Sequence, residues 1–257
     1  MTSIEWGFTS VACIVTGTLI GIGIGRALPK DHVTADSKDT LKIASGMMAT
    51  LVALVLGLLV ASAKNSYDTV NAESIAAGSK LIYLDHILAR YGPETDLARE
   101  QMHEGVANMI DHIWPEESNK PIGSGAKGLE NANGGGMDRL QDFLSTLTPA
   151  NDDQRQIITQ ARQLSGDLQM SRWLTVEQQQ SSLPTTFLVV LFCWLTMLFT
   201  CIGVFAPRNF TVLIALLFCA ASFSTAIFLI VELSRPLDGV MKIPSAPLRN
   251  VLKHLDQ

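Results

Sequence analysis

The chain has 257 residues, is 47% hydrophobic and 17% charged, and has a mean hydropathy of +0.26, which is high for a soluble domain. Its net charge of −5 is unevenly spread: residues 64–184 hold 10 Lys/Arg against 17 Asp/Glu. An acidic middle without a basic cluster excludes a nucleic-acid footprint. The four cysteines, Cys13, Cys193, Cys201 and Cys219, all fall in apolar stretches, which excludes a disulfide framework in the polar part.

The first apolar stretch runs from Trp6 to Leu28. A helix needs about 20 apolar residues to cross the hydrocarbon core of a bilayer. Glu5 precedes the stretch without any Lys or Arg, and the run is longer than a signal-peptide core, so it reads as a retained span. Gly17, Gly21 and Gly25 stand four apart and form one ridge. In lipid, small residues drive helix association by letting backbones approach closely.

The second stretch, Leu41 to Ala63, repeats the device with Ala49, Ala53, Gly57 and Ala61. The two ridges predict tight packing of the first two spans, within a subunit or between subunits. The alternative is that the second stripe lines a pore. The opposite face carries Met47, Leu51, Leu54, Val55 and Leu58. Such a face meets lipid, or encloses a dry constriction when several copies surround an axis, because apolar necks gate by dewetting.

No proline interrupts the chain from Ala61 to Tyr91, and Val70, Ile75, Leu81, Leu84 and Leu88 recur at helical spacing. The second span therefore continues as a helix into water, past Asn65, Asp68, Asn71 and Glu73. Gly92 and Pro93 stop it and start the next helix, to about Trp114. Residues 115–136 are rich in Gly, Pro, Ser and Asn and predict a mobile loop. A short helix follows from Met137 to Leu147, and Asn151 caps another from Asp152 to about Ser181.

The third and fourth apolar stretches are Thr185 to Phe205 and Thr211 to Val231. Glu232 and Arg235 follow, three apart, as a candidate pair at the membrane interface, and Pro236 ends the helix. The expected organisation is a first span pair (1–63), a helical extramembrane domain (64–183), a second span pair (184–232) and a C-terminal tail (233–257). The fold class is an all-α integral membrane protein, with four transmembrane helices and a helical bundle between the second and third.

No acidic residue lies inside the four stretches, and their cations, Arg26 and Lys42, sit at the ends. That argues against a proton-coupled transporter, whose relays need intramembrane ionisable groups. Four spans put both termini and the central domain on one side. Seven juxtamembrane cations on that side (Lys64, Lys80, Arg172, Arg235, Lys242, Arg249, Lys253) against five on the other (Arg26, Lys30, Lys38, Lys42, Arg208) favour a cytoplasmic domain. Glu100-x-x-His103 has the spacing of half a di-iron motif, but no second half and no HExxH accompany it. No nucleophile or dinucleotide signature is present either, so no enzyme, metal or cofactor is expected.

Three segments resemble a known family. LDHILARYGP (Leu84 to Pro93), ELSRPLDG (Glu232 to Gly239) and SAPLR (Ser245 to Arg249) are similar to recurring segments of the bacterial four-span proteins called bestrophin-like. The resemblance implies kinship to bestrophins, pentameric anion channels in which the second span lines the pore. It places Met47, Leu51, Leu54 and Leu58 at a constriction and Asn65, Asp68, Asn71 and Glu73 in a vestibule. The chain departs from true bestrophins in having no acidic run like their calcium clasp and no Phe in the second span. The expectation is a homo-oligomeric ion channel of the bacterial inner (plasma) membrane, whose partners are lipids, further copies of itself and an inorganic ion. Resemblance favours anions, while rings of Asp68 and Glu73 would favour cations. The alternative is a non-conducting scaffold or sensor that docks a partner through its acidic domain.

Overall fold

A computed structural model describes residues 2–27, 35–114, 135–180, 185–207, 209–237 and 239–255. The expected loop at 115–136 lies outside them except for its last two residues, which begin a helix. In chain order the helices are α1 (Ser3–Ala27), α2 (Ala35–Tyr91), a 3-10 turn (Pro93–Thr95), α3 (Asp96–Ile113), α4 (Gly135–Thr146), α5 (Asp152–Gln180), α6 (Thr185–Phe205), α7 (Phe210–Leu233) and α8 (Ala246–Leu255). The chain is an all-α integral membrane protein. Four of its helices, α1, α2, α6 and α7, are long and apolar enough to span a bilayer.

The chain divides into two compact units, Met1–Ser66 with Leu183–Ser234 and Tyr67–Ser182 with Arg235–Gln257. In the first unit α1 packs against α6 and α7. It starts in a reciprocal cap: the Glu5 amide donates to Thr2 Oγ1 at 3.3 Å, and the Thr2 amide donates to Glu5 Oε2 at 2.9 Å. Trp6 stacks on Phe192 with ring centroids 5.7 Å apart. Ser224 Oγ of α7 donates to the Gly7 carbonyl at 2.7 Å. Polar groups inside the bilayer must find partners in the protein, and this bond meets that demand between two helices. The core of the unit includes Ile14, Val52, Leu56, Leu59, Leu195, Phe199, Ile227 and Ile230.

The second unit is a helical bundle around α2's continuation. Leu81, Leu84, Ile87 and Leu88 of α2 belong to one core with Met102, Val106 and Ile110 of α3, Leu140 and Leu144 of α4, and Ile157 and Ile158 of α5. Gly92, at φ 136, turns the chain out of α2, a conformation open to glycine and costly for other residues. Thr95 Oγ1 then donates to the Leu88 carbonyl at 2.6 Å, satisfying one of the orphan acceptors of the helix end. Asn151 caps α5 as its spacing predicts, accepting the Gln154 amide at 2.7 Å.

The segment after α7, expected as a tail, is built into this bundle. Pro236, Leu237 and Ile243 are buried, and the Ile243 amide donates to the Pro236 carbonyl at 2.9 Å. Trp114, at the end of α3, donates its indole N–H to the Ile243 carbonyl at 2.8 Å. α8 packs on α3, and its Val251 fills the space left by Gly78 of α2.

Candidate functional site

The first span's glycine ridge meets α6, not α2. A Cβ added at Gly17 would stand 2.7 Å from the Thr196 carbonyl. At Gly21 it would collide with the Thr200 carbonyl, and at Gly25 with that of Val204. From the other side, a Cβ at Gly203 of α6 would stand 2.6 Å from the Thr18 carbonyl. Three glycines on one helix and one on the other bring two backbones into contact, the geometry that small residues permit in lipid.

The corresponding stripe on α2 has a different setting. A Cβ at Gly57 or at Gly46 would meet nothing within 4 Å. Ala53 and Ala61 are exposed, and Ala49 is half-buried. Beside the stripe runs the Met/Leu line, with Met47 67%, Leu51 56%, Leu54 60% and Leu58 62% exposed. At 100° per residue these four fall within about 60° of arc. The face turned inward is the opposite one, with Val52, Leu56, Leu59 and Ala63. Only 11% of α2's most apolar window is buried, against 33% for α1, 33% for α6 and 28% for α7. Of the four spans, α2 is thus the one that shields least of itself within the chain.

The polar residues beyond the line follow the same helix. Asn65 returns to the direction of Met47, while Asp68, Asn71 and Glu73 turn away from it by about 60°, 120° and 80°. Asn65 and Asp68 are exposed; Asn71 and Glu73 are half-buried. Both carboxylates therefore flank the line, one on each side.

Farther along, α2 carries a buried charge. Asp85 accepts two bonds from Arg99 of α3, from Nε at 2.7 Å and from a terminal nitrogen at 2.9 Å. The hydrogen bond to Asp85 raises the Arg99 pKa above its usual value, against the opposing effect of burial. His103, one turn on, places Nε2 3.4 Å from Asp85 Oδ1. His103 of the half-motif thus faces an ion pair, while Glu100 is exposed. Among the described residues no three His, Cys, Asp or Glu side chains gather around a metal-sized site. Glu232 is fully buried and Arg235 exposed.

Sequence reasoning did not find Asp85, Arg99 or the Trp114 bond. The Asp85–Arg99 pair crosses a helix break, and Trp114 reaches a carbonyl 129 residues away. An aspartate amid the apolar run of Leu81, Leu84, Ile87 and Leu88 was the available signal.

A family model described as Bestrophin-like domain matches residues 12–248. Among solved structures, a mutant of a bacterial bestrophin homolog from Klebsiella pneumoniae matches with a TM-score of 0.57 at 12% identity, covering 100% of both chains. No curated protein matches.

Proposed function

Since the chain belongs to the bestrophin-like family, we propose that it is a homo-oligomeric ion channel whose pore is lined by α2. The observation that carries this reading is the exposed line of Met47, Leu51, Leu54 and Leu58 on the span least buried in its own chain. Several copies arranged with these lines facing an axis enclose an apolar neck. Water and ions enter such a neck only when it widens, so the four residues form the gate. Asn65 continues the line and offers an amide at the mouth of the neck, with Asp68, Asn71 and Glu73 in the vestibule wall. Pentameric assembly follows by analogy with bestrophins.

Anion passage is the favoured selectivity. The two carboxylates are turned about 60° and 80° from the line at 100° per residue, so no acidic group extends it. The bilayer is the bacterial inner membrane, with the second unit and both termini on the cytoplasmic side. The Glu232 and Arg235 pair marks that interface. In this reading the small stripe of Ala49, Ala53, Gly57 and Ala61 faces the neighbouring copy, while Gly17, Gly21 and Gly25 hold the subunit together. The chain performs no catalysis.

Reconstitution of purified protein in planar bilayers under a KCl gradient tests the proposal. The expected result is discrete conductance with a reversal potential on the chloride side of zero. Absence of conductance across voltage and pH, or a monomeric particle, would leave a membrane scaffold as the surviving reading.

A further inference from the structure

The apolar line on α2 does not begin at Met47. One turn earlier, Ile43 is 67% exposed. At 100° per residue it lies about 20° outside the arc of the other four, and the stretch from Ile43 to Leu58 covers about 22 Å of helix at 1.5 Å per residue. All five residues belong to the first compact unit. Met47 therefore stands within the line, with Ile43 and Leu51 each about 6 Å away from it along the helix axis. Thr50, turned about 60° to the side of Met47, donates its hydroxyl to the Gly46 carbonyl at 3.0 Å. Its hydrogen is turned back into the helix, so this part of the face offers water no hydroxyl donor.

Met47 differs from the other four in one chemical respect. The side chains of Ile43, Leu51, Leu54 and Leu58 are saturated hydrocarbon. A methionine thioether is oxidised to the sulfoxide, which turns a flexible apolar side chain into a polar one. The chain leaves the Met47 side chain 67% exposed, while its neighbour Met48 is half-buried. A neck that gates by dewetting responds to the polarity of its lining. Sulfoxides at Met47, one from each copy around the axis, would offer water strong acceptors in the middle of a stretch that otherwise has none.

We propose that Met47 is an oxidation site within the gate, and that its conversion to the sulfoxide by a peroxide wets the neck and opens it. This rests on the reading of α2 as the pore lining. Hydrogen peroxide supplies the oxygen atom. The S–O bond forms as the O–O bond breaks, the sulfur loses two electrons, and the remaining oxygen leaves with both hydrogens as water. Peroxide is small and uncharged, so it reaches the thioether without a conducting path.

Planar-bilayer currents of the full native chain before and after hydrogen peroxide test the proposal, with mass spectrometry reporting the gain of one oxygen on the peptide that holds Met47. The expected result is a several-fold rise in current for the native chain. The same rise is expected for Met197→Leu, which removes a thioether 57% exposed on α6. Met47→Leu, a volume-conserving exchange, should lose the rise. Met47→Gln carries a permanent amide at the same place; it should pass more current than Met47→Leu and ignore peroxide. A response that persists in Met47→Leu would overturn the proposal, because another methionine or a cysteine would then be the target. So would a native channel whose current stays unchanged although Met47 has gained its oxygen, or a Met47 that peroxide leaves unoxidised. These outcomes leave conduction itself intact. A chain that passes no current in any of these forms, Met47→Gln included, removes the pore reading and the oxidation site with it.

Discussion

Small residues recur every fourth position on α1 and on α2, and the two helices use them in opposite ways. On α1, Gly17, Gly21 and Gly25 are filled by the backbone of α6, so closely that no Cβ fits at Gly21 or Gly25. On α2, Gly46 and Gly57 face open space, and the apolar line beside them is exposed. The spacing itself says only that a backbone can approach. The first ridge closes a bundle within the chain; the second, with its Met and Leu neighbours, is a surface that the chain itself leaves largely uncovered.

Substitutions that fill each ridge test this contrast. Gly21→Leu drives a branched side chain into the Thr200 carbonyl. It should cost about 3 kcal/mol or more, seen as loss of monodisperse protein in detergent. A fully stable Gly21→Leu protein would mean that α1 and α6 do not pack as described.

A second test concerns what fixes the far part of α2. Asp85→Ala leaves the Arg99 guanidinium half-enclosed without its carboxylate and should cost about 3 kcal/mol, read as a lowered Tm. The pH dependence has a definite sign. The raised pKa of Arg99 means the folded state holds its proton more tightly than the unfolded state. The contribution is therefore complete throughout the range in which an ordinary arginine stays protonated and disappears only in strong alkali. Between about pH 6 and 9, Arg99 titration should not move the Tm at all.

A smaller effect separates Gly17 from Gly57. Gly17→Ala places a methyl 2.7 Å from the Thr196 carbonyl and should cost about 1–2 kcal/mol. Gly57→Ala meets nothing in its own chain and should change subunit stability by less than about 1 kcal/mol, in the stabilising direction. Thermal unfolding of the two variants side by side gives the comparison, and equal losses would erase it.

The smallest stability effect belongs to the line itself. Leu54→Asn should leave the unfolding free energy within about 0.5 kcal/mol of the parent while raising conductance several-fold, because an amide wets an apolar neck. If Leu54 faces lipid instead, the amide enters hydrocarbon and the variant should express poorly without any gain in current.

The four spans and the long α2 are legible in the sequence, because a run of 20 apolar residues and an interval without proline are local facts. The Asn151 cap is legible for the same reason: its bond reaches only three residues ahead. What joins distant parts was not. Nothing in Gly17-x-x-x-Gly21 names its partner, and the choice of α6 over α2 depends on which carbonyls come to face the ridge. The C-terminal helix was missed and its segment expected as a tail, although Leu248, Val251 and Leu252 have helical spacing; Gly78, which Val251 covers, lies 173 residues earlier. The Met/Leu line was found by spacing, and its exposure needed the structure. The offset of Asp68 and Glu73 from that line follows from helical register and was within reach of the sequence.

On the proposed function, Leu54 faces water inside an open pore. The measurement that reads this most plainly is the current through a Leu54→Cys channel, with Cys13, Cys193, Cys201 and Cys219 replaced by Ala, before and after a charged, membrane-impermeant thiol reagent. The expected result is an irreversible change in current for Leu54→Cys and none for Leu19→Cys, which is exposed on α1. A current indifferent to the reagent at Leu54 would contradict it.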